Sequence, residues 1–171
     1  MPYAIVVMGV SGCGKSSVGR ALAERLGYDF VDADDLHPPE NVAKMRGGTP
    51  LTDEDRWPWL AAVEGAMRER LERGAGIVMA CSALKRSYRD RLRKAGESVR
   101  FVHLAASQEI IGARLARRGS HFFDPKLLAS QFATLEAPDP TDETDVIVLD
   151  AGAPLDTVVT DAGATFTRPM R

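Results

Sequence analysis

The segment Gly9-Val10-Ser11-Gly12-Cys13-Gly14-Lys15-Ser16 fits G-x-x-x-x-G-K-[ST], and it lies between the apolar run Ile5–Met8 and a helical segment from Ser16 to Leu26 that stops at Gly27. Average residue usage makes a chance match in a chain of this size roughly a one-in-a-hundred event, and the strand–loop–helix context lowers that further. The glycines let the backbone curl so that successive N–H groups point at phosphate oxygens, and the following helix adds its positive end. Lys15 is then expected to reach the β- and γ-phosphates of ATP, and the Ser16 hydroxyl to ligate Mg²⁺. Gly9, Ser11, Gly12, Cys13, Gly14, Lys15, Ser16 and Ser17 make up the expected nucleotide site. Cys13 reads as the filler of a small-residue position.

A strand feeding a helix through such a loop demands more strands beside it. Short apolar runs recur at Asp29–Val31, Ile77–Ala80, Arg100–Leu104 and Val146–Leu149, with helical periodicity between most of them. The runs are continuous rather than alternating, which predicts a parallel sheet covered by helices on both faces. Helix punctuation is clear in places. Thr52 caps a helix beginning near Asp53, with Asp55 at its third position and Leu60, Val63, Met67 and Leu71 on one face. Leu84, Tyr88 and Leu92 form another stripe, Ser107 caps a helix carrying Ile110 and Ile111, and Asp124-Pro125 opens one with Leu128, Phe132 and Leu135. A last helix is expected over Leu155 to Ala162, and the tail from Thr165 has no usable pattern.

Length and charge bound the alternatives. The 171 residues suit one domain. The 22 basic and 24 acidic side chains leave a net charge of -2, so nothing favours a nucleic acid or an anionic membrane as partner. No apolar stretch approaches the ~20 residues of a spanning helix. Cys13 and Cys81 match no zinc or CxxC spacing, which points to reduced thiols in a cytoplasmic protein.

Two insertions exceed a minimal strand–helix alternation: Asp32–Trp59, rich in Asp, Pro, Gly and His, and Arg114–Leu135, basic and then aromatic. Both fall on the side where open α/β sheets bind ligands. Strand two runs into Asp32, Asp34 and Asp35; Asp34 is the candidate general base for an acceptor hydroxyl, and Asp32 or Asp34 could complete a magnesium shell. Arg56 sits in the first turn of a helix, where a cation opposes the dipole, and is expected to bind an anion. The basic run Lys85, Arg86, Arg89, Arg91, Arg93, Lys94 reads as a solvated helix face with one or two substrate contacts.

Several independent strings carry a family resemblance: Asp34-x-Leu-His-Pro, Lys44-Met45-x-x-Gly48-x-Pro50-Leu51-x-Asp53-x-Asp55-Arg56-x-Pro58-Trp59-Leu60, Cys81-Ser82-Ala83-Leu84-Lys85-Arg86-x-Tyr88-Arg89-Asp90, and His121-Phe122-Phe123 with Ser130-Gln131-Phe132-x-x-Leu135-Glu136. They resemble the gluconokinase family of small P-loop kinases from about the first strand to Leu149. The resemblance implies a nucleoside-monophosphate-kinase-like α/β/α fold with a five-stranded parallel sheet, in a single domain spanning 1–171 with a substrate insertion at about 35–60 and a lid at about 114–126. It implies transfer of the γ-phosphate of ATP to the 6-hydroxyl of D-gluconate, with Mg²⁺, and a homodimer. Lys15, Asp34 and Arg118 would be catalytic, with Arg114 at the nucleotide. Asp34, His37, Lys44, Arg56, Lys85, Arg86, His121 and Gln131 would hold the sugar acid. Two other readings remain: a P-loop kinase with a shikimate-like or nucleotide acceptor, and a nucleotide-binding regulator without transfer.

Overall fold

The computed structural model describes residues 2–117 and 125–167. Its elements run β1 (Ala4–Met8), α1 (Lys15–Leu26), β2 (Asp29–Asp32), a single 3-10 turn (Ala33–Leu36), α2 (Pro39–Arg46), α3 (Asp53–Glu72), β3 (Ile77–Ala80), α4 (Arg86–Arg93), β4 (Val99–Ala105), α5 (Gln108–Arg117), α6 (Pro125–Thr134), β5 (Val146–Asp150) and α7 (Leu155–Thr167). The strands form one parallel sheet in the order β2-β3-β1-β4-β5. The order reverses beside β1, which opens the crevice that α/β sheets use for ligands. Register aligns the strand ends there, with Val7 and Asp32 both opposite Ala80.

Both faces of β1 are buried, as its unbroken apolar run requires. Ile5 and Val7 pack with Val18 and Leu22 of α1 and Val158, Ala162 and Phe166 of α7. Val6 and Met8 face the other way, against Leu60, Val63 and Met67 of α3 and Tyr88 and Leu92 of α4. Gly19 permits the close seating of α1, because a β-carbon there would come within 2.6 Å of the Phe30 ring.

Local signals placed α3 well. Thr52 accepts from the Asp55 amide, and the Asp55 carboxylate accepts from the Thr52 amide, a reciprocal capping box. Elsewhere the structure departs from the sequence reading. The first insertion is ordered into the 3-10 turn and α2, and α7 continues to Thr167. Leu84 precedes α4 rather than lying in it. The basic run is not uniformly solvated. Arg89 is 1% exposed, donating to both carboxylate oxygens of Glu143 and to the carbonyls of Ala83, Leu84 and Glu136. Five acceptor contacts explain how a guanidinium stays inside. Among the described residues no helix is long and apolar enough to cross a membrane.

Candidate functional site

The loop after β1 leaves the sheet through two left-handed glycines, Gly12 at φ +81° and Gly14 at φ +97°, a region closed to most side chains. Gly14 caps α1 without a side-chain bond, so the first N–H groups of the helix are free of side-chain caps. Lys15 folds over the loop and donates to the Val10 carbonyl at 3.0 Å. Cys13 is buried, and its sulfur occupies the space a β-carbon on Gly9 would need. Ser17 is exposed in the first turn of α1.

Asp32, at the end of β2, reaches across to this loop. One of its oxygens accepts from the Ser16 hydroxyl at 2.9 Å, and the other accepts from the Asp34 amide at 3.0 Å. The pair Ser16 and Asp32 is an all-oxygen donor set next to a phosphate cradle, which suits a hard cation that keeps most of its shell as water and phosphate. Among the described residues no cluster of three His, Cys, Asp or Glu side chains forms a dedicated cage.

The Asp34 side chain is 85% exposed at the cleft mouth. Partial desolvation, and next the Asp32 carboxylate, raises its pKa, against the opposing pull of Lys15 and His37. His37 Nε2 stands 4.0 Å from Asp34 Oδ1, and the ring is stacked on Trp59 with centroids 4.2 Å apart. Trp59 is itself fixed by donating to the Ala33 carbonyl at 2.7 Å. Burial holds the imidazole pKa below its usual value, so the ring is neutral at pH 7.

A second wall lies at the start of α3 and α4. Lys85 donates to both oxygens of Asp53 at 3.1 Å, Tyr88 donates its hydroxyl to Asp53, and Arg56 donates to the Tyr88 oxygen at 3.1 Å. These donors, first Tyr88 and then Lys85, hold the Asp53 pKa below the ordinary carboxylate value. The dipole cost expected for Arg56 is offset by this local pairing. Lys44 pairs with Asp55 at 2.7 Å, and that bond leads the causes that bring Asp55 to about 2.

Not every expected residue gathers here. Arg86 turns away to pair with Asp142, and its amide donates to the Glu136 carboxylate at 2.8 Å. Gln131 sits on the phosphate loop rather than beside Asp34, accepting from the Ser11 amide at 2.6 Å and donating to its hydroxyl at 2.8 Å. Arg114 donates to the Ala151 carbonyl at 2.7 Å, along a groove of about 490 Å³ lined also by Ile110, Ala113, Arg117 and Gly152. Arg118 and His121 lie outside the described residues. No site role falls to Asn41, Asp53 or Tyr88 in the sequence reading, although Asp53 and Tyr88 stand within the family-like strings. A polar residue four after His37, and the tyrosine three after Lys85, were the available signals.

Comparison with known proteins places these features in context. Residues 5–138 match the family model described as an AAA domain. A gluconokinase of Gluconobacter oxydans (strain 621H) is 53% identical over 80% of this chain and 77% of its own length. A probable gluconokinase of Rattus norvegicus is 43% identical, covering 90% of this chain and 92% of its own. The crystal structure of a gluconokinase from Sinorhizobium meliloti 1021 superposes with a TM-score of 0.86 at 49% identity, covering 95% of this chain and 90% of that one.

Proposed function

The chain belongs to the gluconokinase family of P-loop kinases, and on that footing we propose that it transfers the γ-phosphoryl group of ATP to the 6-hydroxyl of D-gluconate, yielding 6-phosphogluconate and ADP. The observation that carries the site assignment is Asp32, one of whose oxygens accepts from the Ser16 hydroxyl of the phosphate loop while the other accepts from the backbone amide of Asp34.

Lys15 and the loop amides bind the β- and γ-phosphates and offset charge as it develops on them. Asp34 accepts the proton of the 6-hydroxyl as that oxygen bonds to the γ-phosphorus. The bond from phosphorus to the β–γ bridging oxygen breaks, and its electron pair leaves with ADP. Asp34 suits this role because its pKa is raised, which makes it a stronger base than an ordinary aspartate. Arg56 and Lys85, held on one wall by Asp53 and Tyr88, take the gluconate carboxylate, and His37 and Lys44 line the hydroxyl side. The groove beside Arg114 takes the adenine. Family resemblance supports Arg118 at the transferring phosphoryl group and His121 at the substrate; it also supports a homodimer, which sedimentation would read directly. Mg²⁺, held by Ser16 and Asp32, would neutralise phosphate charge when bound. All 171 residues are read as one kinase domain, in the cytoplasm where the free thiols Cys13 and Cys81 stay reduced.

A coupled ADP-release assay across gluconate, other aldonates, shikimate and nucleoside monophosphates tests the assignment. Gluconate should give the highest kcat/KM by a wide margin. Equal turnover on the other acceptors would refute it.

A further inference from the structure

Asn41 is a buried polar residue, 4% exposed, on a helix that contributes little else to the core. Its Nδ2 lies 2.9 Å from the Asp55 carbonyl oxygen and 3.2 Å from His37 Nδ1. A carbonyl only accepts, so the atom facing Asp55 must be the amide nitrogen; the flipped amide would set two oxygens against each other. The second proton of that NH₂ group then points at His37 Nδ1, which must present a lone pair. In a neutral imidazole the proton therefore sits on Nε2. Trp59 stacking prevents the ring from swinging away.

We propose that Asn41 is a positioning residue that holds His37 in the Nε2–H tautomer, so that the ring offers a fixed donor beside the Asp34 carboxylate. The two groups are complementary, one donating and one accepting, and they stand 4.0 Å apart. An alcohol oxygen about 2.8 Å from each spans that gap, accepting from His37 and donating to Asp34. An aldehyde or ether oxygen could satisfy only the imidazole. The pair thus selects a hydroxyl, and Asn41 fixes the polarity of the selection. This rests on the gluconate reading above and specifies how one end of that substrate is recognised.

The test is a nitrogen-15 spectrum of the histidine rings together with steady-state kinetics. The His37 signals are assigned by their loss in H37Q. The wild-type ring should show a protonated Nε2 and a bare Nδ1. In N41D the carboxylate only accepts, so the proton should move to Nδ1; in N41A, which serves if N41D folds poorly, the two tautomers should mix. KM for gluconate should rise about tenfold in N41D, the loss of one buried hydrogen bond, with KM for ATP unchanged. The Gln side chain in H37Q carries its own NH₂ donor, so adding N41D in that background should change KM less than about twofold. An unaltered His37 ring spectrum in both Asn41 variants would overturn the proposal, as would a full tenfold effect in the H37Q background. If gluconate were not the substrate the kinetic arm would be lost, but the spectra would still decide the tautomer.

Discussion

The Ser16 hydroxyl donates to Asp32 across 2.9 Å, tying the first turn of α1 to the end of β2. Because the same carboxylate also accepts from the Asp34 amide, one side chain would set both the cation side and the base side of the proposed cleft. D32A should therefore lower kcat/KM for ATP about 10–100-fold, the usual effect of losing a metal-orienting carboxylate, and should raise KM for gluconate as well. Steady-state kinetics in both substrates at several magnesium concentrations checks this; a defect confined to ATP would separate Asp32 from Asp34.

D34N should lower kcat about 10²–10⁴-fold while ATP binding, read by calorimetry, survives. The base must be ionised, so wild-type kcat/KM should fall as pH drops through the Asp34 pKa, which lies above the ordinary 3.8. The stability sign is opposite to that of a paired carboxylate. A raised folded-state pKa means the folded protein binds this proton more readily than the unfolded chain does, so the contribution of Asp34 to stability grows as pH falls. At pH 7 the Asn variant should melt no lower than wild type.

R56A and K85A should each raise KM for gluconate about 10–100-fold, as expected for a lost charge-assisted bond, with KM for ATP unchanged. An unchanged gluconate KM in R56A would remove Arg56 from the carboxylate site.

The buried pair Arg89–Glu143 makes a stability prediction instead. Both side chains are at most 4% exposed, so E143A or R89A should cost about 3–5 kcal/mol in urea denaturation by stranding the partner's charge. Burial works against the Glu143 charge, but the bonds from Arg89 and Arg93 prevail and bring its pKa to about 2. Stability from Glu143 is thus fully present above the ordinary 4.5, and it should fade as pH falls from there toward 2. In E143Q that acid sensitivity should be reduced.

What could be read from the chain follows the distance over which each feature is encoded. The phosphate loop, the capping box of α3 and the Ser107 cap of α5 are built from residues within a few positions of one another, and all three stand as the spacing requires. The helix α2 was hidden because Pro38-Pro39 and a short polar stretch resemble a loop. The burial of Arg89 was hidden for another reason, since Glu143 lies 54 positions away and nothing near Arg89 announces it. Gln131 shows the same limit: its partner Ser11 is 120 residues distant, and a side chain read as a hydroxyl partner packs on the phosphate loop. Local grammar located the machinery, while the long-range pairings that hold it in place required the fold.

The sulfur packed over Gly9 has a consequence for chemical durability. Burial raises the Cys13 pKa and drives that of Cys81 to about 12, so both sulfurs are held toward the thiol form. Electrophiles and peroxides react with accessible thiolates, and both cysteines are buried with raised pKa values. A sulfur atom can therefore sit in the wall of a nucleotide cradle without making the catalyst sensitive to oxidation.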